Sequence, residues 1–351
     1  MIKSNSHWLT SPAKESALIL LPLFLPVFVV YLFSGYFNEH TEVTTLWWLL
    51  LVLMIDVGHV YSTLFRFYWE RSTFLKYKSL LITIPLVCFI IGVSLHLIDS
   101  FLFWRILAYA ALFHFIRQQY GFLRLYSRKQ TVNKLAKWID VVSIYNATIY
   151  PVLYWHLHLT DSLSWFVPHD FVSISIQNVD GILLSIYLSI LLIYFLKEVY
   201  FSIKHSDINV PKNGIVFGTY LSWYAGIILF HGDLAFTLMN VVAHGIPYMG
   251  LIWLYGTKKN SSGFSFGLKG VAIFALTLLI LSYFEESLWD VLVWKDHASI
   301  FPFFTSSNPL TNSWILSIVV PILVLPQLTH YVLDGFIWRF SKDNNARISE
   351  V

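Results

Sequence analysis

The chain has 351 residues, of which 57% are hydrophobic and only 12% are charged, with a formal net charge of +3. Soluble globular chains carry about twice that share of charged residues, so this composition cannot supply a water-facing surface for a chain of this length. The aromatic content of 18% excludes an intrinsically disordered chain, and the small, dispersed positive charge argues against nucleic acid as a partner. The sequence therefore predicts an integral membrane protein whose main solvent is the lipid bilayer.

Ten runs of about 20 apolar residues predict transmembrane helices. In chain order they cover residues 16–36, 44–67, 78–98, 101–122, 136–157, 180–204, 213–231, 233–256, 269–289 and 312–340. The ninth run is the weakest because it ends in Glu285 and Glu286, and the segment from there to Thr311 is expected to be an outer loop or a re-entrant piece. We expect an all-α, polytopic membrane helix bundle that forms a single domain over residues 1–351.

The lysines and arginines test this count independently. When the ten spans alternate across the membrane, every basic residue except Arg105 and Lys295 falls on the same side. Cytoplasmic loops are enriched in Lys and Arg, so this side is predicted to be cytoplasmic, with both termini on it. No targeting extension precedes the first span, which favours a bacterial inner membrane as the location.

Four of the thirteen histidines lie within predicted spans rather than in loops or at span ends. They are His59, His114, His244 and His330, on the second, fourth, eighth and tenth spans. Each lies roughly 10–20 Å from the inner charged boundary at the helical rise per residue. Four histidines at similar depth on four helices predict one buried site, and neutral imidazoles suit Fe, Zn, Cu or Ni. Chemistry at such a site would come from the metal, because no further catalytic group is indicated.

Polar residues three or four positions from these histidines share their helix faces and are candidates to orient the rings or line the pocket. They are Asp56, Gln118, Asn240, Tyr248, Gln327 and Asp334. A metal-bound imidazole usually donates its other N–H to a carboxylate or carbonyl, a role expected for Asp56 and Asp334. Ordinary interhelical hydrogen bonding is the alternative. Pro247 and Pro326 are expected to kink the helices beside His244 and His330.

Short patches around these histidines resemble the bacterial Brp/Blh-type β-carotene 15,15′-dioxygenases, which are membrane-embedded non-haem iron enzymes. Gly58-His59 resembles the early histidine of that family in its Pro-His-Gly setting, and His114-Phe115 resembles the next one in a His-Phe-Gly setting. Residues 244–253 resemble the family's His-x-x-x-His helix, and residues 330–339 its terminal His…Asp-Phe-Ile-Phe-Arg segment. Each patch is short, so their common order along the chain carries most of the likeness.

The resemblance implies that His59, His114 and His244 ligate Fe(II), and that dioxygen cleaves a carotenoid to retinal. The family's fourth histidine falls on Tyr248 in this chain. Either Tyr248 ligates or lines the pocket, or His330 fills the vacancy, or no iron binds; we favour His330.

The leading hypothesis is thus an iron-dependent dioxygenase that acts on an apolar polyene or isoprenoid within the bilayer. Aromatic residues in the spans could together line an apolar tunnel for this substrate, although facing lipid or packing between helices is the more common role for any one of them. These are Trp47, Trp48, Phe113, Trp223, Tyr224 and Phe236. The alternatives are a metal-dependent oxidase of another lipid, with zinc as another candidate metal, a haem-binding electron-transfer protein, and a proton-coupled transporter. Whether the protein binds other proteins is not indicated by the sequence.

Overall fold

The computed structural model describes residues 7–159, 165–230, 232–258, 267–302 and 308–337, and within these ranges the regular structure is helical, without strands. The helices are α1 (Pro12–Leu32), α2 (Ser34–Glu39), α3 (Thr45–Tyr68), α4 (Arg71–Ile98), α5 (Ser100–Ser127), α6 (Lys134–Leu157), α7 (Asp180–His205), α8 (Val210–Tyr224), α9 (Asp233–Lys258), α10 (Leu268–Trp294), α11 (Ser313–Leu323) and α12 (Leu325–Ile337). A π-helical turn, Ala225–Leu229, continues α8.

Seven helices within the described ranges are long and apolar enough to cross a bilayer, namely α1, α3, α4, α5, α7, α9 and α10. The pair α11–α12, bent by 40°, adds an eighth if both helices belong to one span. The predicted all-helical membrane protein is therefore supported. The predicted ten spans and the cytoplasmic termini stay predictions. The two further segments are helical, but α6 begins with lysines and contains Asp140, and α8 has only 15 α-helical residues.

The ninth predicted span differs from its expected end. The predicted span covers residues 269–289, whereas α10 continues as a helix to Trp294. Glu285 is buried, with 3% of its surface exposed, and it accepts hydrogen bonds from Tyr61 and Gln327. Hydrogen bonding to two neighbouring helices offsets the cost of placing this carboxyl inside the helix packing.

By their internal contacts the described residues group into two compact units. The first comprises residues of 1–42 and 112–250, and there α6 packs against α7 and α8, while α8 packs against α1. A glycine allows the last contact, because a Cβ on Gly218 would lie 2.8 Å from the Cβ of Leu23. The single domain predicted for the whole chain stays a prediction.

Four charged side chains meet inside this first unit, where α6, α7 and α8 pack together. Lys197 pairs with Asp140 and lies 2.5 Å from a carboxylate oxygen of Glu198. The ammonium of Lys212 lies 2.5 Å from Glu198 and 3.6 Å from Asp140. Both ammonium groups also lie over the ring of Tyr194, at 4.4 and 5.8 Å. This ion quartet is electrically balanced, which a buried charge requires in order to persist.

The second unit comprises residues of 43–111 and 251–339 within the described ranges. In it α10 packs along α3, and α4 packs against α11 and α12. A single residue separates α4 from α5: Asp99 accepts a 2.8 Å hydrogen bond from the backbone N–H of Phe101 and so caps the start of α5. These contacts fix α3 and α12, the two helices of this unit that carry in-span histidines.

Candidate metal centre

The structure brings all four in-span histidines together. One ring nitrogen from each of His59, His114, His244 and His330 lies within 4.8 Å of the others, and all four residues are buried. Two nitrogens on opposite sides of one ion are about 4.2 Å apart at metal–nitrogen bonds of about 2.1 Å. The cluster is therefore close to the size that one ion needs, and four buried histidines at this spacing could hold a metal.

His59 on α3 and His330 on α12 form one half of the cluster. Their rings meet edge to face, with centroids 4.9 Å apart. Thr63, one turn after His59, lies with its hydroxyl oxygen 2.7 Å from Nδ1 of His330. This contact fixes the ring plane and makes Nε2 of His330 the atom that would ligate, with Nδ1–H donating to the threonine.

His114 on α5 and His244 on α9 form the other half, again edge to face, with centroids 4.8 Å apart. Phe115 stacks flat on the His244 ring at 3.9 Å and 12°. Gln118 donates a 2.7 Å hydrogen bond to the backbone carbonyl of His244. One turn of α5 thus supplies a histidine, a ring that holds the second histidine flat, and an amide that fixes its backbone.

Irregular helix geometry precedes two of the four ligand candidates. A π-helical stretch, Trp48–Val57, ends two residues before His59, and another, Thr237–Val241, ends three residues before His244. Such stretches shift the register of the following side chains and recur at functional sites. Before His330 the helix is interrupted by the 40° bend between α11 and α12, and Pro326 lies in the first turn of α12.

The predicted ring-orienting residues occupy varied positions. Asp56 lies beside His59, but its carboxylate oxygen is 3.7 Å from Nδ1, beyond hydrogen-bond distance. Asp334 is buried one turn beyond His330. Gln327 donates to Glu285. The threonine that contacts His330 was not predicted, because it comes from another helix and no same-helix spacing points to it.

Asn240 and Tyr248 flank His244 on α9, and both are buried. Asn240 donates to the backbone carbonyls of Ser222 and Phe236, at 3.4 and 3.3 Å, so it holds α9 against α8. A Cβ on Gly226 would lie only 2.5 Å from the Asn240 amide nitrogen, so a glycine there allows this close approach. Tyr248 is fully buried, in the position where the resemblance expects a histidine.

The aromatic residues predicted to line a tunnel differ in how far they are buried. Trp223 and Phe236 are buried, whereas Phe113 is 61% exposed on the outside of the protein, the position of a lipid-facing side chain. Its neighbour Phe115, which was not predicted for a tunnel, is the ring that reaches His244. Helical periodicity separates these two phenylalanines, since residues two positions apart point to nearly opposite sides of a helix.

Comparison of the chain with protein-family models, with curated proteins and with solved structures finds no match.

The threonine contact leads to a first prediction. Replacing Thr63 by Val keeps the side-chain shape but removes the hydroxyl from Nδ1 of His330, so metal affinity should fall about 10–100-fold. Thr148→Val is the matched control, because Thr148 is also buried but its hydroxyl bonds the carbonyl of Tyr145 on its own helix. Competition for metal against a chromophoric chelator measures both affinities. Equal affinities for the two variants would contradict a ring-orienting role for Thr63.

Proposed function

We propose that this protein is a membrane-embedded, non-haem iron dioxygenase that cleaves an apolar polyene or isoprenoid, of which a carotenoid is the leading candidate. The observation that supports this most is the buried group of four histidine nitrogens within 4.8 Å of one another. Neutral nitrogen donors without thiolates suit a ferrous ion. The order of the sequence patches around these histidines supports the substrate class.

The chain's own residues would do the binding and positioning. His59, His114, His244 and His330 would hold the ion, which when bound supplies activation of dioxygen. Thr63 orients the His330 ring, and Phe115 and Gln118 hold His244 in place. The burial of all four histidines keeps bulk water away. Both dioxygen and an apolar substrate would arrive from the bilayer, and the simplest location remains a bacterial inner membrane.

Carotene-producing cells test this proposal. Expression of the wild-type chain should bleach the cells and release retinal, because cleavage shortens the coloured polyene. The His244→Ala variant should leave the colour unchanged, and chromatography of retinoids measures the product. Undiminished pigment beside well-expressed, iron-loaded wild-type protein would count against carotenoid cleavage, and lipid extracts would then be searched for another oxidised isoprenoid or lipid.

A second candidate function, a proton-coupled carrier, is favoured by one observation. Glu285 is buried in α10, and no lysine or arginine forms an ion pair with it in the described parts of the chain. Ionisable side chains in membrane helices often relay protons, and Asp56, His59, His114 and Asp334 would extend such a relay. Proton uptake into liposomes containing the wild-type protein, lost in Glu285→Gln, would favour this function. Liposomes whose protein binds metal but shows no proton flux would reject the carrier and favour the oxygenase.

A further inference from the structure

A cluster of five aromatic rings continues from the histidines toward the connection between α6 and α7. We call it the ring cluster; it consists of Phe115, Trp155, Trp165, Phe171 and Phe236. Phe115 stacks on His244 and lies 5.9 Å from the ring of Trp165. Trp165 in turn contacts Trp155, Phe171 and Phe236, at 6.0, 5.1 and 5.8 Å.

The segment that carries Trp165 is held in a defined shape. The buried carboxylate of Asp170 accepts hydrogen bonds from the backbone N–H groups of Trp165 and Phe166, at 3.0 and 2.8 Å. His169 adopts a left-handed backbone conformation with φ of 65°, which turns the chain so that Asp170 can face back. Beyond the turn, the N–H of Ile174 bonds the carbonyl of His156 at 2.8 Å and ties the segment to the end of α6.

Exposure distinguishes one ring from the rest. Phe115, Trp155, Phe171 and Phe236 are all buried, each with less than 9% of its surface exposed, whereas Trp165 is only partly buried. Aromatic faces of this kind favour flat, apolar partners, which gain from ring stacking beyond simple burial.

From this arrangement we propose that Trp165 and Phe115 are specificity-determining residues that form a wall for a flat, apolar polyene beside His244. Phe115 is the ring in contact with the histidine, and Trp165 is the ring that sets how far the polyene extends toward the α6–α7 connection. Asp170 acts through Trp165 and is a positioning residue. The proposal rests on the proposed function for its substrate class, and it adds the side of the histidine cluster on which that substrate binds.

Binding of cis-parinaric acid, a fluorescent polyene fatty acid, tests the wall without requiring metal or catalysis. Tryptophan excitation should produce a saturable component of parinaric emission in wild-type protein reconstituted into lipid nanodiscs. Trp165→Ala should weaken that binding about three- to tenfold, whereas Trp165→Phe, which keeps an aromatic face, should stay within about twofold of wild type. The other tryptophans, among them Trp155 at 6.0 Å from Trp165, still excite the probe in both variants. Trp314→Ala is the matched control, since Trp314 is 72% exposed and lies outside the ring cluster, so binding equal to wild type is expected.

The outcomes separate the two proposals. Absence of saturable emission in the wild type, or equal affinity for the probe in Trp165→Ala and Trp314→Ala, would overturn the wall. Unchanged metal content in Trp165→Ala, measured beside the weakened binding, would support a role in substrate contact over one in folding. Unbleached carotene-producing cells combined with saturable emission that depends on Trp165 would reject carotenoid cleavage and retain the wall as a site for another polyene.

Discussion

Purified wild-type protein is expected to carry close to one transition-metal ion per chain, and alanine at any of the four clustered histidines should remove most of it. Each imidazole offers one nitrogen to the same small volume, so the loss of one leaves an incomplete donor set. Outer residues around metal sites already alter affinity by about 10–100-fold, and a ligand should exceed that. Mass spectrometry of protein prepared anaerobically with iron measures both the amount and the identity of the metal.

His96→Ala is the matched control for these variants. His96 also lies in an apolar helix, α4, but its Nδ1 is 2.9 Å from the Ser317 hydroxyl and it is not part of the histidine cluster. Metal content equal to wild type is expected for this variant. Protein that stays metal-free under iron-replete conditions would contradict the oxygenase proposal. A Soret band in the absorption spectrum would instead favour the haem-binding alternative, with two of the histidines as axial ligands.

The histidine cluster could be predicted because the bilayer makes it conspicuous. An ionisable side chain within an apolar span is costly, so four of them at matched depth stand out from the rest of the sequence. Helical rise alone places them at one level, and the structure brings them together. What helical rise cannot give is rotation about each axis, which depends on the packing of neighbouring helices and on the π-helical stretches before His59 and His244.

The surroundings of the cluster were harder to predict, for a physical reason. Spacing rules find partners on the same helix; they selected Asp56 and Asp334 to orient the rings and placed Gln118 on the face of His114. The contacts that the structure resolves cross between helices: Thr63 meets His330, and Gln118 meets the backbone of His244. Threonine is common in membrane helices, so nothing in the sequence marks Thr63 as a partner of His330. The spacing did select Gln118, on the face of His114, but it could not show that its amide bonds the backbone of His244 on another helix.

The predicted span count has a similar explanation. Hydropathy identifies helices that face lipid on most sides, such as α4 and α7, of which only 17% of the most apolar window is buried. The segments 134–157 and 210–229 instead carry Asp140 and Lys212, which join the ion quartet with two charged residues of α7. Polar residues that are satisfied inside the bundle lower the apparent hydropathy without revealing that they are paired.

The ion quartet leads to the second prediction, a large loss of stability when one of its charges is removed. Replacing Asp140 by Asn leaves two buried ammonium groups against one carboxylate, and replacing Lys197 by Met leaves two carboxylates against one ammonium. Each single variant should lower the free energy of unfolding by about 3–5 kcal/mol, because it leaves an uncompensated buried charge. Reversible unfolding in mixed detergent micelles measures this, with Lys204→Met, an exposed lysine on the same helix, as the control.

The double variant separates pairing from simple loss of polar contacts. With Asn at 140 and Met at 197, Lys212 and Glu198 remain as a neutral pair 2.5 Å apart. The double variant should therefore be clearly more stable than the sum of the two single losses predicts, since residues in one network do not contribute additively. Strict additivity, or single losses no larger than that of Lys204→Met, would contradict a balanced buried quartet. The quartet holds α6, α7 and α8 together, whereas the histidines lie on α3, α5, α9 and α12. We therefore expect the destabilised variants to retain metal, which would show that these charges stabilise the helix packing and are not needed for the histidine site.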